Sequence, residues 1–226
     1  AHKIPVMEIS ETENQSPFIS FTSDYGFKVT FGNEENTIFL RRALQALIGS
    51  AVPILKVTFD KTVFDGVTKD GHSVIFDHSC VDEKGNRFIV EMQLGAFPGI
   101  YPRIGFYAFQ KLNTLVRKGK YRFEGLPKIY AIALLKGKLN DDADYHHIST
   151  FKNQKNTATY DGIALIVGEL AKFNKAASGC TTDLDKLFYT MKVLGEAQTE
   201  GTEIKYPDFW TEEWLQVAIR ELDTHI

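Results

Sequence analysis

The stretch from residue 73 to residue 93 decides the fold. It reads SVIFDHSCV over 73–81, DEKGN over 82–86 and RFIVEMQ over 87–93. The two outer segments are rich in β-branched and aromatic residues, which favour strands, and the middle segment has the Asp, Gly and Asn of a short connection. The stretch therefore predicts an antiparallel β-hairpin.

The register of this hairpin follows if its pairing is centred on Lys84. Asp77 then faces Glu91, and because side chains alternate across a strand, Gln93 lies on the same face as Glu91. Directly opposed residues lie about 5 Å apart at Cβ, so the two carboxylates repel each other. Both also fall within apolar runs, where a charge needs an ionic partner or a metal.

This pair of carboxylates has two interpretations. A hard cation such as Mg²⁺, which binds one or two carboxylates together with waters and substrate phosphate, would relieve the repulsion. The side-chain carbonyl of Gln93 would then orient the attacking water or reach the metal. Alternatively, Asp77 and Glu91 are edge-strand carboxylates that are solvated or paired with Lys or Arg, and a slip of one residue would separate them.

Other segments have recognisable periodicity. Helical apolar spacing predicts helices in three places before residue 120: a short one capped by Ser23 or Asp24 and ended by Gly32, then 35–48 and 100–118. Strand patterns cover 54–64 and 128–135. Further helices are predicted at 160–176, 183–197 and 211–223.

These elements predict an α/β fold in which helices flank a mixed sheet, followed by a helical C-terminal extension. We expect a loose arm over 1–16, a core over 17–136, and a mostly helical region over 137–226 packed on or beside the core. The adjacent residues His146 and His147 lack the spacing of a zinc site and are predicted to lie in a loop.

The composition is that of an ordinary globular protein, with 43% hydrophobic and 24% charged residues in 226. Cys80 and Cys180 form no CxxC pair, which predicts buried free thiols in a reducing compartment. The sequence has neither a signal-peptide pattern at its start nor an apolar stretch of membrane-spanning length. We therefore expect a cytoplasmic protein that does not enter a membrane.

The charge is a weaker guide. A net charge of −3 argues mildly against nucleic-acid binding, but a local patch can override the average. The segment RKGKYR over 117–122, which includes Lys118 and Lys120, is basic and contains an aromatic residue. It is either a DNA-binding patch or a solvated helix end whose cations lie at the negative pole of the helix dipole.

Several motifs, in this order, resemble the PD-(D/E)XK nuclease family transposases, also called recombination-promoting nucleases. They are SDYGFK over 23–28 with Phe31-Gly32, Phe76-Asp77, GNRFIVEMQ over 85–93, Arg103 with Tyr107, Lys118-Gly119 with Tyr121, and a strand near Tyr130. The resemblance spans residues 17–136. It implies a restriction-endonuclease-like fold and a Mg²⁺-dependent DNA endonuclease linked to mobile elements and recombination, in which we expect Mn²⁺ to substitute.

Carried over by position, the resemblance implies that Asp77 and Glu91 are metal ligands. Gln93 falls where the wider superfamily has a catalytic Lys. Gln is accepted in this family, but it can neither carry a charge nor donate a proton as Lys does. The segments LGA over 94–96 and HSC over 78–80 depart from the usual appearance of the family. These departures bear on activity and sequence preference more than on fold.

The resemblance also implies that Asp24 and Lys28 line the site from the first helix, and Arg103 and Tyr107 from the next one. Each has a structural alternative. Asp24 is equally a helix cap, and Lys28 either stabilises transition-state charge or is a solvated lysine. Arg103 either holds a phosphate or pairs with a carboxylate, while Tyr107 is more often a core residue than a catalytic one.

The resulting hypothesis is phosphodiester hydrolysis in DNA with little base specificity. The alternative is a catalytically degenerate nuclease fold that serves as a nucleic-acid-binding or regulatory module. RNA cleavage is a third option. The oligomeric state stays open, with a homodimer as one alternative.

Overall fold

A six-stranded mixed sheet forms the centre of the molecule. The computed structural model of the chain describes residues 17–60, 77–93, 95, 98–117, 122–196 and 204–224. The strands are β1 (Val57–Phe59), β2 (Asp77–Asp82), β3 (Arg87–Gln93), β4 (Ile129–Leu135), β5 (His146–Lys152) and β6 (Ala158–Glu169). The described helices are α1 (Asp24–Phe31), α2 (Ile38–Ile48), α3 (Ile100–Arg117), α4 (Asp183–Gly195) and α5 (Glu213–Leu222).

The strands lie in the order β1-β2-β3-β4-β6-β5. The first three are antiparallel neighbours, β3, β4 and β6 run parallel, and β5 is antiparallel at the far edge. Parallel neighbours need a crossover connection, and α3 is the helix between β3 and β4. This helix consequently covers one face of the sheet.

Helices cover the two faces unequally. Alternation along β3 sends Phe88, Val90 and Met92 into the apolar core that contains α1, α2, α4 and α5. Ile89 faces the other way, into a smaller core with residues of α3. The positions of Glu91 and Gln93 follow Ile89 in steps of two, so they lie on the α3 side.

The β2–β3 turn fixes the register of the hairpin. The Asp82 carboxylate accepts hydrogen bonds from the backbone amides of Lys84 at 3.0 Å and Asn86 at 2.9 Å. Gly85 has φ +84°, a left-handed conformation that suits glycine. The pairing centred on Lys84 is confirmed, because Asp77 pairs with Glu91.

The ends of the described fold are joined. Phe18 forms a β-bridge with Asp223, and the Thr224 amide donates to the Pro17 carbonyl at 3.0 Å. Next to this bridge, α1 packs against α5. Phe39 of α2 stacks on Trp214 of α5 with ring centroids 6.0 Å apart.

Most predicted elements are confirmed. Ser23 caps α1 by accepting a hydrogen bond from the Gly26 amide at 3.0 Å, and Gly32 ends the helix. α4 and α5 fall in two of the predicted C-terminal helices. The predicted arm over 1–16, the strand segments 61–64 and 73–76, and the end of the helix at Lys118 lie outside the described residues.

The predicted helix at 160–176 is wrong. Residues 158–169 form β6, which lies between β4 and β5 and is followed by a 3-10 turn, Leu170–Lys172. A strand buried on both faces is apolar at nearly every position, so its pattern does not distinguish it from a buried helix. The division predicted at residue 136 falls between β4 and β5 of one continuous sheet.

Two further expectations meet the structure here. Cys80 and Cys180 are buried free thiols, as predicted. Among the described helices, none combines the length and the apolarity that a bilayer span requires.

Candidate active site

The candidate site is centred on Glu91 in the middle of the sheet. Its Cα pairs with that of Asp77 in β2 and with that of Ala133 in β4. With strands on both sides and α3 above, the Glu91 side chain has 0% of its surface exposed. A carboxylate buried this deeply needs a cationic or metal partner.

Arg103 of α3 supplies a cation at this position. Its Nε lies 3.4 Å from Oε2 of Glu91, and its side chain is 15% exposed. The guanidinium carbon also lies 5.6 Å from the ring centroid of Tyr107, one helical turn further along. The geometry therefore has Arg103 beside a carboxylate, which was one of its two predicted roles; a phosphate contact stays a prediction.

Gln93 ends β3 two residues after Glu91. Its side chain is buried, and its backbone carbonyl accepts a hydrogen bond from the Lys136 amide at 2.8 Å. The side-chain Nε2 has no hydrogen-bond partner among the residues that the structure describes. Because an unsatisfied buried amide is costly, this carboxamide has bonding capacity left for a bound group.

Lys28 and Asp24 approach from α1, which packs against the opposite face of the sheet. Both side chains are exposed. Lys28 lies near His78. Burial lowers the pKa of His78 from 6.5 to about 3, and the positive charge of Lys28 is the second, smaller cause. His78 follows Asp77 in β2, so Lys28 lies close to the strand that carries the predicted metal ligand.

The glycine of the Phe31-Gly32 motif is explained by the lack of space for a side chain at residue 32. A Cβ at Gly32 would lie 2.5 Å from Cε1 of His78 and 2.4 Å from the carbonyl oxygen of Lys28. Glycine therefore lets α1 end against the His78 ring.

A cluster that the sequence analysis missed lies further along α3. Lys111 is buried and forms an ion pair with Asp60, whose Oδ2 is also 3.7 Å from Nη1 of Arg87. Arg103, Tyr107 and Lys111 recur every four residues on α3, so they lie on one side of the helix. This four-residue spacing was visible in the sequence, and it indicates that two cations and a tyrosine lie in a row facing the sheet.

A second missed cluster surrounds Glu169 at the end of β6. Its Oε2 lies 2.7 Å from Nε2 of His147 and 2.8 Å from Nζ of Lys172, and its Oε1 accepts from the Leu139 amide at 2.6 Å. Burial alone would raise the pKa of Glu169, but these hydrogen bonds outweigh it and lower the pKa. Glu169 is thus a carboxylate whose charge the fold neutralises.

The prediction that His146 and His147 lie in a loop is wrong. His146 and His147 both lie in β5. Nε2 of His146 lies 2.8 Å from the Leu47 carbonyl oxygen, so the two rings have separate protein partners.

The described residues contain no group of three or more His, Cys, Asp or Glu side chains suited to a metal ion. A Mg²⁺ site needs only one or two carboxylates, because water and phosphate complete its coordination. Lys118 and Lys120 lie outside the described residues.

The comparison with known families adds the deciding observation. A family model described as PD-(D/E)XK nuclease family transposase matches residues 21–223. The chain belongs to this family. The PD-(D/E)XK match begins just before α1 and ends after α5, so it includes all six strands and extends well past residue 136.

Membership supports a nuclease linked to mobile elements. The predicted resemblance is thereby confirmed, and the mixed sheet with its helices is consistent with the restriction-endonuclease-like domain of PD-(D/E)XK proteins. No curated protein and no solved structure matches the chain.

Proposed function

We propose that this protein is a metal-dependent endonuclease that hydrolyses phosphodiester bonds in DNA. The observation that carries the proposal is the pairing of Asp77 with Glu91 across β2 and β3, with Glu91 buried under α3. A carboxylate in the middle of a sheet, opposite another acidic position, is unfavourable for folding alone and suits a cation site.

The chemistry of the donors fits Mg²⁺, with Mn²⁺ as a substitute. Asp77 and Glu91 would hold the ion, and the carboxamide of Gln93 offers a further oxygen close to it, all hard ligands. When bound, such an ion lowers the pKa of a water and polarises the scissile phosphate.

The cations around the pair have separate tasks. Arg103 neutralises Glu91 and lies where it can also attract a phosphate oxygen, and Tyr107 positions Arg103 by contact with its guanidinium. Lys28 lies on α1, at the opposite face of the sheet from Glu91, and would add positive charge only at longer range. Since Gln93 cannot protonate a leaving oxygen, that proton comes from water.

The outer parts of the site would contact substrate. Asp24 lies in the exposed first turn of α1 and would lie at the edge of the bound DNA strand. Lys118 and Lys120 would bind backbone phosphates without reading bases.

A second candidate is a degenerate nuclease fold that binds nucleic acid without cutting it. One observation favours it: Arg103 already neutralises Glu91. In that case the Arg103–Glu91 pair would be a structural contact between α3 and the sheet.

One assay separates these candidates. Supercoiled DNA and a structured RNA are each incubated with wild type, Asp77→Ala or Asp142→Ala, in Mg²⁺, Mn²⁺ or EDTA. Asp142 is an exposed loop residue and serves as the matched control. We expect metal-dependent DNA cleavage that Asp77→Ala abolishes and Asp142→Ala retains. Wild type that cuts neither substrate in either metal supports the degenerate candidate.

A further inference from the structure

An exposed strip of aromatic rings runs from α3 to the β5–β6 hairpin. It consists of Phe106, Phe109, Phe151 and Tyr160, whose exposures range from 37% to 63%. Ring centroids of Phe109 and Phe151 are 6.5 Å apart, and those of Phe151 and Tyr160 are 6.0 Å apart. A contiguous exposed apolar surface often marks a binding site.

The strip is continuous with the candidate active site. Phe106 lies 6.1 Å from Tyr107 between ring centroids, and Tyr107 contacts the guanidinium of Arg103, which pairs with Glu91. Contacts thus run from the buried carboxylate to Phe106, and Phe109 follows three residues later on the same side of α3.

The strand geometry presents two of these rings. Phe151 pairs with Tyr160 where the β5–β6 register shifts at a bulge. A Cβ on Gly162 would lie 2.4 Å from the Tyr160 hydroxyl, so the tyrosine ring lies over the backbone of this glycine. The bulge and the glycine together hold Tyr160 against the strand beside Phe151.

The hairpin end of the strip carries exposed cations. Of the five Lys or Arg in α3 and residues 146–160, Arg103 and Lys111 are paired with Glu91 and Asp60, which leaves three exposed cations in a chain whose net charge is −3. Lys152 and Lys155 are exposed at the hairpin end. Asp161, next to Tyr160, is exposed and forms an ion pair with Lys128. A surface that combines aromatic rings with cations is complementary to a polyanion with stacking bases.

We infer that this strip binds unpaired nucleotides of a DNA strand by stacking their bases on Phe109, Phe151 and Tyr160. The inference rests on the proposed function and deepens it, because it names a single-stranded segment as the part of the substrate held beside the site. Bases in a duplex are already stacked on each other, so exposed rings select unpaired ones. Lys152 and Lys155 would contact the phosphates between these bases.

The test is the binding of a fluorescent oligo-dT of roughly 16 nucleotides, a length within known single-strand site sizes, in EDTA. Hydrolysis is absent under these conditions, so binding is measured independently of catalysis. Phe151→Ala should weaken binding about tenfold, and Phe151→Leu should weaken it similarly because it keeps apolar surface but has no ring. Phe151→Tyr should bind like wild type, since it keeps the ring.

Two further variants sharpen the result. Tyr25→Ala removes an exposed ring on α1, away from the strip, and should leave oligo-dT affinity unchanged. Lys155→Gln should reduce the slope of log affinity against log salt concentration by about 0.7, the value for one phosphate contact on a single strand.

Unchanged affinity in Phe151→Ala would overturn the inference, whatever the cleavage assay gives. It would also be overturned if Phe151→Leu bound oligo-dT like wild type while Phe151→Ala abolished self-association in sedimentation, since the strip would then be an apolar interface between copies. Conversely, ring-dependent binding by a chain that cuts nothing would support the strip and count only against the nuclease activity.

Discussion

The Nε atom of Arg103 lies 3.4 Å from Oε2 of Glu91, a carboxylate with 0% exposure. A charge from α3 is thus present in the sheet face where sequence reasoning expected two carboxylates to repel. The pair ties the helix to β3 and neutralises Glu91. The contribution of Arg103 to the stability of the fold can therefore be measured without any substrate.

Replacing Arg103 with Ala should lower the free energy of unfolding by about 3 kcal/mol, because it leaves the buried charge of Glu91 without its guanidinium. Urea unfolding in EDTA measures this. Arg117→Ala, at the exposed end of the same helix, is the control and should change stability by no more than about 0.5 kcal/mol. Equal losses in both variants would mean that the Glu91 pair contributes nothing.

Metal binding should stabilise the wild-type fold. At one hundred times the dissociation constant, Mn²⁺ should add about 2.7 kcal/mol to the free energy of unfolding. Glu91→Gln should show much less of this gain at the same concentration, because the ion loses a charged ligand. Thermal melts with Mn²⁺ and with EDTA give the comparison, and an equal rise in Tm for both proteins would put the ion elsewhere.

In the cluster of Asp60, Lys111 and Arg87, removing the anion and removing a cation should change the free energy of unfolding by different amounts. Asp60→Asn leaves the cations of Lys111 and Arg87 close together, whereas Lys111→Met keeps Asp60 beside Arg87 and replaces a buried charge with an apolar chain. We expect Asp60→Asn to cost about 3 kcal/mol and Lys111→Met clearly less. Chemical denaturation of both variants tests the order, and the reverse order would refute it.

Acid should weaken the fold partly through Glu169. Its pKa is lowered in the folded state, so the unfolded chain takes up the proton first. The stabilisation is therefore complete above the ordinary pKa of 4.5 and is lost as pH falls through the lower folded value. Glu169→Gln should be less stable than wild type at pH 7, and the gap should narrow below pH about 4.5. Unfolding curves from pH 3 to 7 measure it; a constant gap would exclude this carboxylate as the cause.

DNA affinity should fall steeply with salt, because the expected contacts are to phosphates. Charge reversal of Lys118 and Lys120 should weaken binding to every DNA sequence alike. Anisotropy titrations over a range of NaCl concentrations report both effects. Binding that these substitutions leave intact would mean that the basic segment is only a helix end.

The hairpin was predictable because its information is local. Apolar runs on each side and a turn segment with Asp82, Gly85 and Asn86 fix the pairing within about twenty residues, and so the facing of Asp77 and Glu91 could be calculated. The caps of α1 follow from Ser23 and Gly32 for the same reason.

The missed features depend on distant contacts. β6 carries no alternation because β4 and β5 flank it and both faces are covered, so only the pairing itself distinguishes it from a helix. Arg103 and Glu91 are twelve positions apart, and their contact requires the direction of α3 across the sheet. Glu169 meets Lys172 locally, but His147 reaches it only through β5.

The bridge between Phe18 and Asp223 sets an order on synthesis at the ribosome. Phe21 and Phe27 contact rings that precede residue 79, but the contact of α1 with α5 has to wait until α5 has left the exit tunnel. The sheet can start to form earlier, but α1, which carries Lys28, gains its contact with α5 only after residue 222 has been made. A message truncated before residue 213 thus yields a fragment with an open core, which proteases and chaperones recognise. We expect such a fragment to be cleared rather than to accumulate.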